Sequence, residues 1–78
     1  MAPAELLTEL ARRLVDEPEA VRVEQTVRDD DIVLRLHVAP ADIGKVIGRK
    51  GRIARALRAL VRASAGRMRQ RVLLEIVE

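Results

Sequence analysis

The chain contains no phenylalanine, tyrosine or tryptophan among its 78 residues. Domains that stack bases on aromatic rings, such as RNA-recognition motifs, OB folds and cold-shock domains, are excluded by that absence alone. Cysteine is also missing, which removes disulfides and thiolate metal sites and makes a reducing cytoplasm the expected location. With one histidine, His37, and one serine, Ser64, no nucleophile–base pair suggests itself, so neither an enzyme nor a cofactor is expected. A phosphate loop of the form Gly-x-x-x-x-Gly-Lys-Ser/Thr does not occur. No apolar run approaches the roughly 18 residues of a membrane span, and an N-terminus carrying Glu5 and Glu9 lacks the basic region of a secretory signal. The length suits a single domain, residues 1–78, with a modest core whose stability is small or shared with a partner.

What the chain does have is segregated charge. The net charge of +3 is the balance of three unlike segments: residues 1–40 carry five Arg against nine acidic residues, residues 41–71 carry ten Arg and Lys against Asp42 alone, and residues 72–78 add two glutamates. Positive charge concentrated on one segment is the footprint of a polyanionic partner.

Periodicity divides the chain into six elements. Leu6, Leu7, Leu10, Leu14 and Val15 recur at helical spacing from Pro3, predicting an amphipathic helix to about Asp16, ahead of Pro18. From Ala20 the period becomes two: Val21, Val23, Gln25 and Val27 share one strand face, and Ile32, Leu34, Leu36 and Val38 share a face of a second strand across the polar turn Arg28-Asp29-Asp30-Asp31. Val33, Arg35 and His37 fall on the less apolar face, His37 as an ordinary surface residue. The three aspartates lack a calcium-loop partner and read as a solvated hairpin tip. Ala41 to Ile47 predicts a short helix, in which Gly44 and Gly48 stand four apart as if for close helix packing. Arg52 to Ala65 predicts a longer one, rich in alanine, with Ile53, Leu57, Leu60 and Val61 on one face and Arg52, Arg55, Arg58 and Arg62 on another. Gly66 ends it, and Val72, Leu74 and Ile76 alternate as a third strand. The order α-β-β-α-α-β predicts an α+β fold, a three-stranded sheet with its helices packed on one face.

The chemistry gathers between the last two helices, at Ile47-Gly48-Arg49-Lys50-Gly51-Arg52-Ile53. Two glycines three positions apart permit a sharp turn and close backbone approach, push Arg49 and Lys50 outward, and set amide groups and a helix dipole against whatever lies on the turn. A phosphate fits such a place.

Gly-x-x-Gly with basic residues inside, after Val46-Ile47 and before Ile53, resembles the signature of the KH domain. The wider run Gly44-Lys45-Val46-Ile47-Gly48-Arg49-Lys50-Gly51-Arg52-Ile53-Ala54-Arg55-Ala56 resembles the KhpA family of small bacterial KH proteins over nearly the whole chain. Ile53 stands one residue earlier than in the commonest KH pattern, where Ala54 is found here, and the KhpA-like pattern shares that offset. The resemblance implies a type II KH fold and binding of single-stranded RNA. On that reading Gly48, Arg49, Lys50 and Gly51 grip phosphates through their amides and charges, Lys45, Arg52 and Arg55 add attraction, and Ile43, Val46, Ile47 and Ile53 form the core beneath the groove. It also implies homodimers, a KhpB-like KH partner, and a role as an RNA chaperone or post-transcriptional regulator linked to cell division and cell-wall growth. Two rival readings stand beside it: a helix-turn-helix on duplex DNA, led by Arg52, Arg55 and Arg58, and a protein-interaction module with a vestigial groove.

Overall fold

The computed structural model describes residues 1–66 and 68–78. The fixed φ of Pro3 opens the first helix, α1, Pro3–Leu14. Ala2 has no side-chain oxygen with which to cap it, and Glu5 Oε1 instead accepts the Ala2 N–H at 3.2 Å. Leu7 and Ala11 are fully buried on one face. The helix ends at Leu14, short of the expected Asp16, for a reason that lies far along the chain. A carboxylate oxygen of Asp42 accepts the backbone N–H of Glu17 at 3.0 Å, which draws this segment out of helical geometry. Pro18 then starts a 3-10 turn, Pro18–Ala20, and the first strand begins later than the alternation suggested, as β1, Arg22–Arg28.

β2, Asp31–His37, pairs antiparallel with β1 from Arg28↔Asp31 to Arg22↔His37, so the hairpin loop is only Asp29-Asp30, with Asp29 at a positive φ of 58°. Asp31 belongs to the strand rather than to a solvated tip and is bound by Arg71, whose Nη2 lies 2.7 Å from its carboxylate. The chain then crosses over through a 3-10 turn at Pro40–Asp42, the helix α2, Ile43–Ile47, a tight turn, and the helix α3, Arg52–Ala65. α3 has the bounds its pattern predicted. β3, Val72–Ile76, returns parallel to β2, with Ile32↔Val72 and Leu36↔Ile76 in register. The sheet is therefore mixed, in the order β1-β2-β3, with β2 central.

The helices lie on one face, as expected. Leu7 and Ala11 of α1, Leu57 and Val61 of α3 and Val46 of α2 close over Ile32, Leu34, Leu36, Val72 and Leu74. Two side chains depart from the alternation. Val27 stays 63% exposed at the end of β1. Val33, expected on the less apolar and open face, is fully buried. Its register partners are Thr26 and Leu73, and over that row Arg28 of β1 reaches diagonally to Glu75 of β3, Nη2 to Oε2 at 2.7 Å, with Arg35 Nε at 3.6 Å from the other oxygen. The arginine stems supply an apolar cover while their heads remain in water. His37, on the same face, is half-buried rather than an ordinary surface residue, and its Nε2 donates to Glu24 Oε1. That bond holds the Glu24 carboxyl below its ordinary range.

If Val33 is a core residue despite facing away from the helices, Val33→Ala lowers stability by about 1.5–3 kcal/mol, the range for burying such a side chain, as read by urea denaturation. An unchanged midpoint would mean that the helix-free face is open.

Candidate nucleic-acid interface

The turn between α2 and α3 is fixed by main-chain conformation. Gly48 has φ 76° and ψ 171°, and its N–H donates to Gly44 O at 2.8 Å, ending α2. A Cβ at Gly48 would overlap the Ile53 side chain and stand 2.9 Å from the Ile53 backbone nitrogen, so both the left-handed φ and the space require glycine. The Gly51 N–H donates to Gly48 O at 3.1 Å. Lys50 (φ 57°, ψ 24°) and Gly51 (φ 74°, ψ 16°) are left-handed in succession, and for Lys50, which has a Cβ, that conformation is strained. Arg55, one turn into α3, holds it in place: Nη1 donates to Lys50 O at 3.0 Å.

This geometry narrows the amide grip expected from sequence. Of the four amides from Gly48 to Gly51, those of the two glycines are committed to Gly44 and Gly48 carbonyls, and the Arg52 N–H to Arg49 O. The N–H groups of Arg49 and Lys50 are the ones left to meet a ligand, and both side chains are exposed. Arg52 is exposed beside them at the first turn of α3, where a helix end favours an anion.

The other residues singled out in sequence separate into groups. Lys45 is held between carboxylates, its Nζ 3.3 Å from Asp16 and 3.6 Å from Asp42. Its pKa is raised, first through the bond to Asp16. Its charge is thus largely compensated within the protein. Val46 is core and Ile53 packs against the core, whereas Ile43 and Ile47, one helical turn apart on α2, stay half-buried outside the core cluster. Gly44 does not serve packing: the direction of its Cβ is open, with no atom within 4 Å, because it lies on the outward side of α2. Close approach occurs at Gly48 alone of that pair. Arg58 and Arg62 rim a cavity of about 130 Å³ between α3 and the edge strand β3, with Val72, Leu73 and Leu74 on its other side.

Asp42, which in sequence stands out only as the lone acidic residue of a basic segment, is 1% exposed. Burial by itself raises such a carboxyl; the N–H groups of Glu17 and Asp16, and Lys45, outweigh it, and the pKa falls below its usual value. The one signal available was its isolation, as the single acidic residue in residues 41–71. It ties the root of α2 to the segment after α1, and so positions the turn.

A positive-φ Gly-x-x-Gly turn between two helices, laid over a mixed three-stranded sheet in this element order, defines a KH-type binding domain. The chain belongs to the KhpA/KhpB KH-domain family, whose model matches residues 4–76, and that family is non-enzymatic. It is similar to the RNA-binding protein KhpA of Treponema pallidum, 49% identical over 95% of this chain and 92% of the relative. It is 48% identical to RNA-binding protein KhpA of Caldanaerobacter subterraneus subsp. tengcongensis, covering 94% of this chain and 97% of the relative. The Clostridium perfringens RNA-binding protein KhpA is 45% identical over the same shares. No solved structure matches the chain. Among the described residues, no helix is long and apolar enough to cross a membrane.

Two expectations follow. Gly48→Ala destabilises by roughly 3–5 kcal/mol, combining overpacking with a disfavoured φ, while Gly51→Ala, whose Cβ would meet only Arg55 Nη1 at 3.6 Å, loses about 1–2 kcal/mol; thermal melts separate them. Because the Asp42 pKa is lower folded than unfolded, its contribution is complete above the ordinary carboxyl range and is lost as pH falls through the folded value. Asp42→Asn is accordingly less stable at neutral pH and shows a shallower loss on acidification below about pH 4, measured by urea midpoints across pH.

Proposed function

We propose that the chain binds single-stranded RNA, its sugar-phosphate backbone running over the Arg49-Lys50 turn and along the near end of α3. The observation that carries this reading is the turn itself, where two free backbone amides, two exposed cationic side chains and a helix end converge at a bend that only glycine permits. The relatives are named as RNA-binding proteins, which supports the polyanion being RNA. Gly48 and Gly51 give the turn its shape, and Arg49, Lys50 and Arg52 supply charge. Ile43 and Ile47, half-buried outside the core, offer aliphatic surface to bases. The rim of Arg58 and Arg62 over the cavity at β3 extends the path. Lys45 contributes less than its position suggests, being paired with Asp16 and Asp42.

One domain gripping about three phosphates binds weakly and gains from association. A shallow apolar groove between α1 and α3, lined by Leu10, Leu14, Ile53, Ala56, Leu57 and Leu60 with Leu60 46% exposed, supports a second protein surface, either for a homodimer or for a KhpB-like partner. The family model spans both KhpA and KhpB, in keeping with a cytoplasmic RNA chaperone or post-transcriptional regulator that acts with such a partner. The duplex DNA reading is disfavoured by α2, whose five residues are too short to brace a recognition helix.

The test is a titration of labelled RNA and DNA, single and double stranded. Wild type prefers single-stranded RNA, with log affinity falling against log salt at a slope near −2, from about three phosphates at roughly −0.7 each. Replacing Arg49 and Lys50 by aspartate abolishes binding while circular dichroism is unchanged; binding that survives the double substitution removes the turn as the grip. For the second surface, Leu60→Glu abolishes self-association in sedimentation without altering the fold, and a wild type that is monomeric at high micromolar concentration rules out the homodimer.

A further inference from the structure

The chain has thirteen arginines and only two lysines, Lys45 and Lys50, both within a few residues of the Gly-x-x-Gly turn. Arginine and lysine supply the same charge, but only the lysine amine can be acylated under mild conditions, so these two carry the ε-amine chemistry of the whole protein. The structure gives them opposite situations. The Lys45 amine is held by Asp16 at 3.3 Å and Asp42 at 3.6 Å, which keeps it an ammonium engaged on two sides, and its raised pKa agrees. The Lys50 amine makes no hydrogen bond or ion pair with any described residue. Its Cα lies at the tip of the turn with φ 57°, and its carbonyl is anchored to Arg55, so that the side chain is carried outward on a fixed base. Arg49 and Arg52 flank it, both exposed, and give a field that draws anions to its neighbourhood.

From this we infer that Lys50 is a charge switch for RNA binding, acylated selectively by small anionic acyl donors of the acyl-phosphate class. The ammonium first loses a proton to solvent. The neutral Nζ attacks the acyl carbon, a C–N bond forms, and the bond from that carbon to the bridging phosphate oxygen breaks, with phosphate leaving on its electron pair. No oxidant or reductant enters. The product is a neutral amide where a cation stood, in the turn proposed to hold the RNA backbone, and removing it also removes one counterion-releasing contact. The inference rests on that reading of the turn, while the selectivity between the two lysines does not.

The experiment treats the intact protein with acetyl phosphate and follows both lysines by peptide mass mapping, in buffer, in buffer with excess single-stranded RNA, and in urea. The expected result is acetylation of Lys50 at least several-fold faster than of Lys45 when folded, slowed by RNA, with the two rates converging in urea. Protein acetylated at Lys50, and the variant Lys50→Gln, bind RNA about fivefold more weakly near 0.1 M salt, with the salt slope smaller in magnitude by about 0.7 and circular dichroism unchanged; in Lys50→Arg, acetyl phosphate treatment no longer changes the RNA affinity from its untreated value. Equal rates for the two lysines in the folded protein, or a Lys50 preference that persists in urea, overturn the selectivity. Selective acetylation that leaves affinity and salt slope untouched overturns the switch. If unmodified protein fails to bind RNA, the proposed function falls, and the folded-state selectivity is still read independently.

Discussion

Everything at the interface depends on the contact between Gly48 and Ile53. The Gly48 backbone lies so near the Ile53 nitrogen and side chain that a single extra carbon has nowhere to go. Because of that contact α2 ends abruptly, the chain reverses within three residues, and α3 begins with its charged first turn directed at the same solvent as the turn. Ile53 packs against the core, so the turn is referenced to the sheet through one side chain. A second tether acts from the other side: buried Asp42 fastens the root of α2 to the chain leaving α1. The proposed function therefore rests on a bend that is rigid on its inner side and open on its outer side.

Much of this was legible in the sequence, and what was not has identifiable causes. Helical and alternating periodicity gave all six elements, and α3 even gave its ends, because Gly51 and Gly66 punctuate it and no distant group competes for its terminal amides. α1 lost its last two residues to Asp42, a partner far along the chain that local pattern does not encode. Val33 looks half-polar by alternation, since the pattern of one strand does not show the ion pairs that Arg28 of β1 and Arg35 of β2 make with Glu75 of β3 across that face. Gly44 was assigned to packing by spacing alone, and spacing carries no information about which way α2 faces.

The same limits apply to the site. The run of basic residues around the glycines marks the candidate site, yet charge counting treats every cation as equal. In the folded protein Lys45 is answered by two carboxylates and Arg55 is engaged with the Lys50 carbonyl, while Arg49, Lys50 and Arg52 remain directed at solvent. The left-handed conformation of Lys50 could not have been anticipated, because a residue with a Cβ adopts it only where neighbours impose it.

The parallel pairing of β2 with β3 has a kinetic consequence. β2 can acquire its antiparallel neighbour through a two-residue loop, but its other edge must wait for the whole crossover of α2, the glycine bend and α3 to be laid down. Contacts of such sequence separation are entropically expensive to nucleate and tend to form late. The bend proposed to receive RNA is thus also the corner around which the chain must turn before its sheet can close, which makes the speed of maturation and the shape of the proposed binding surface answer to the same two glycines.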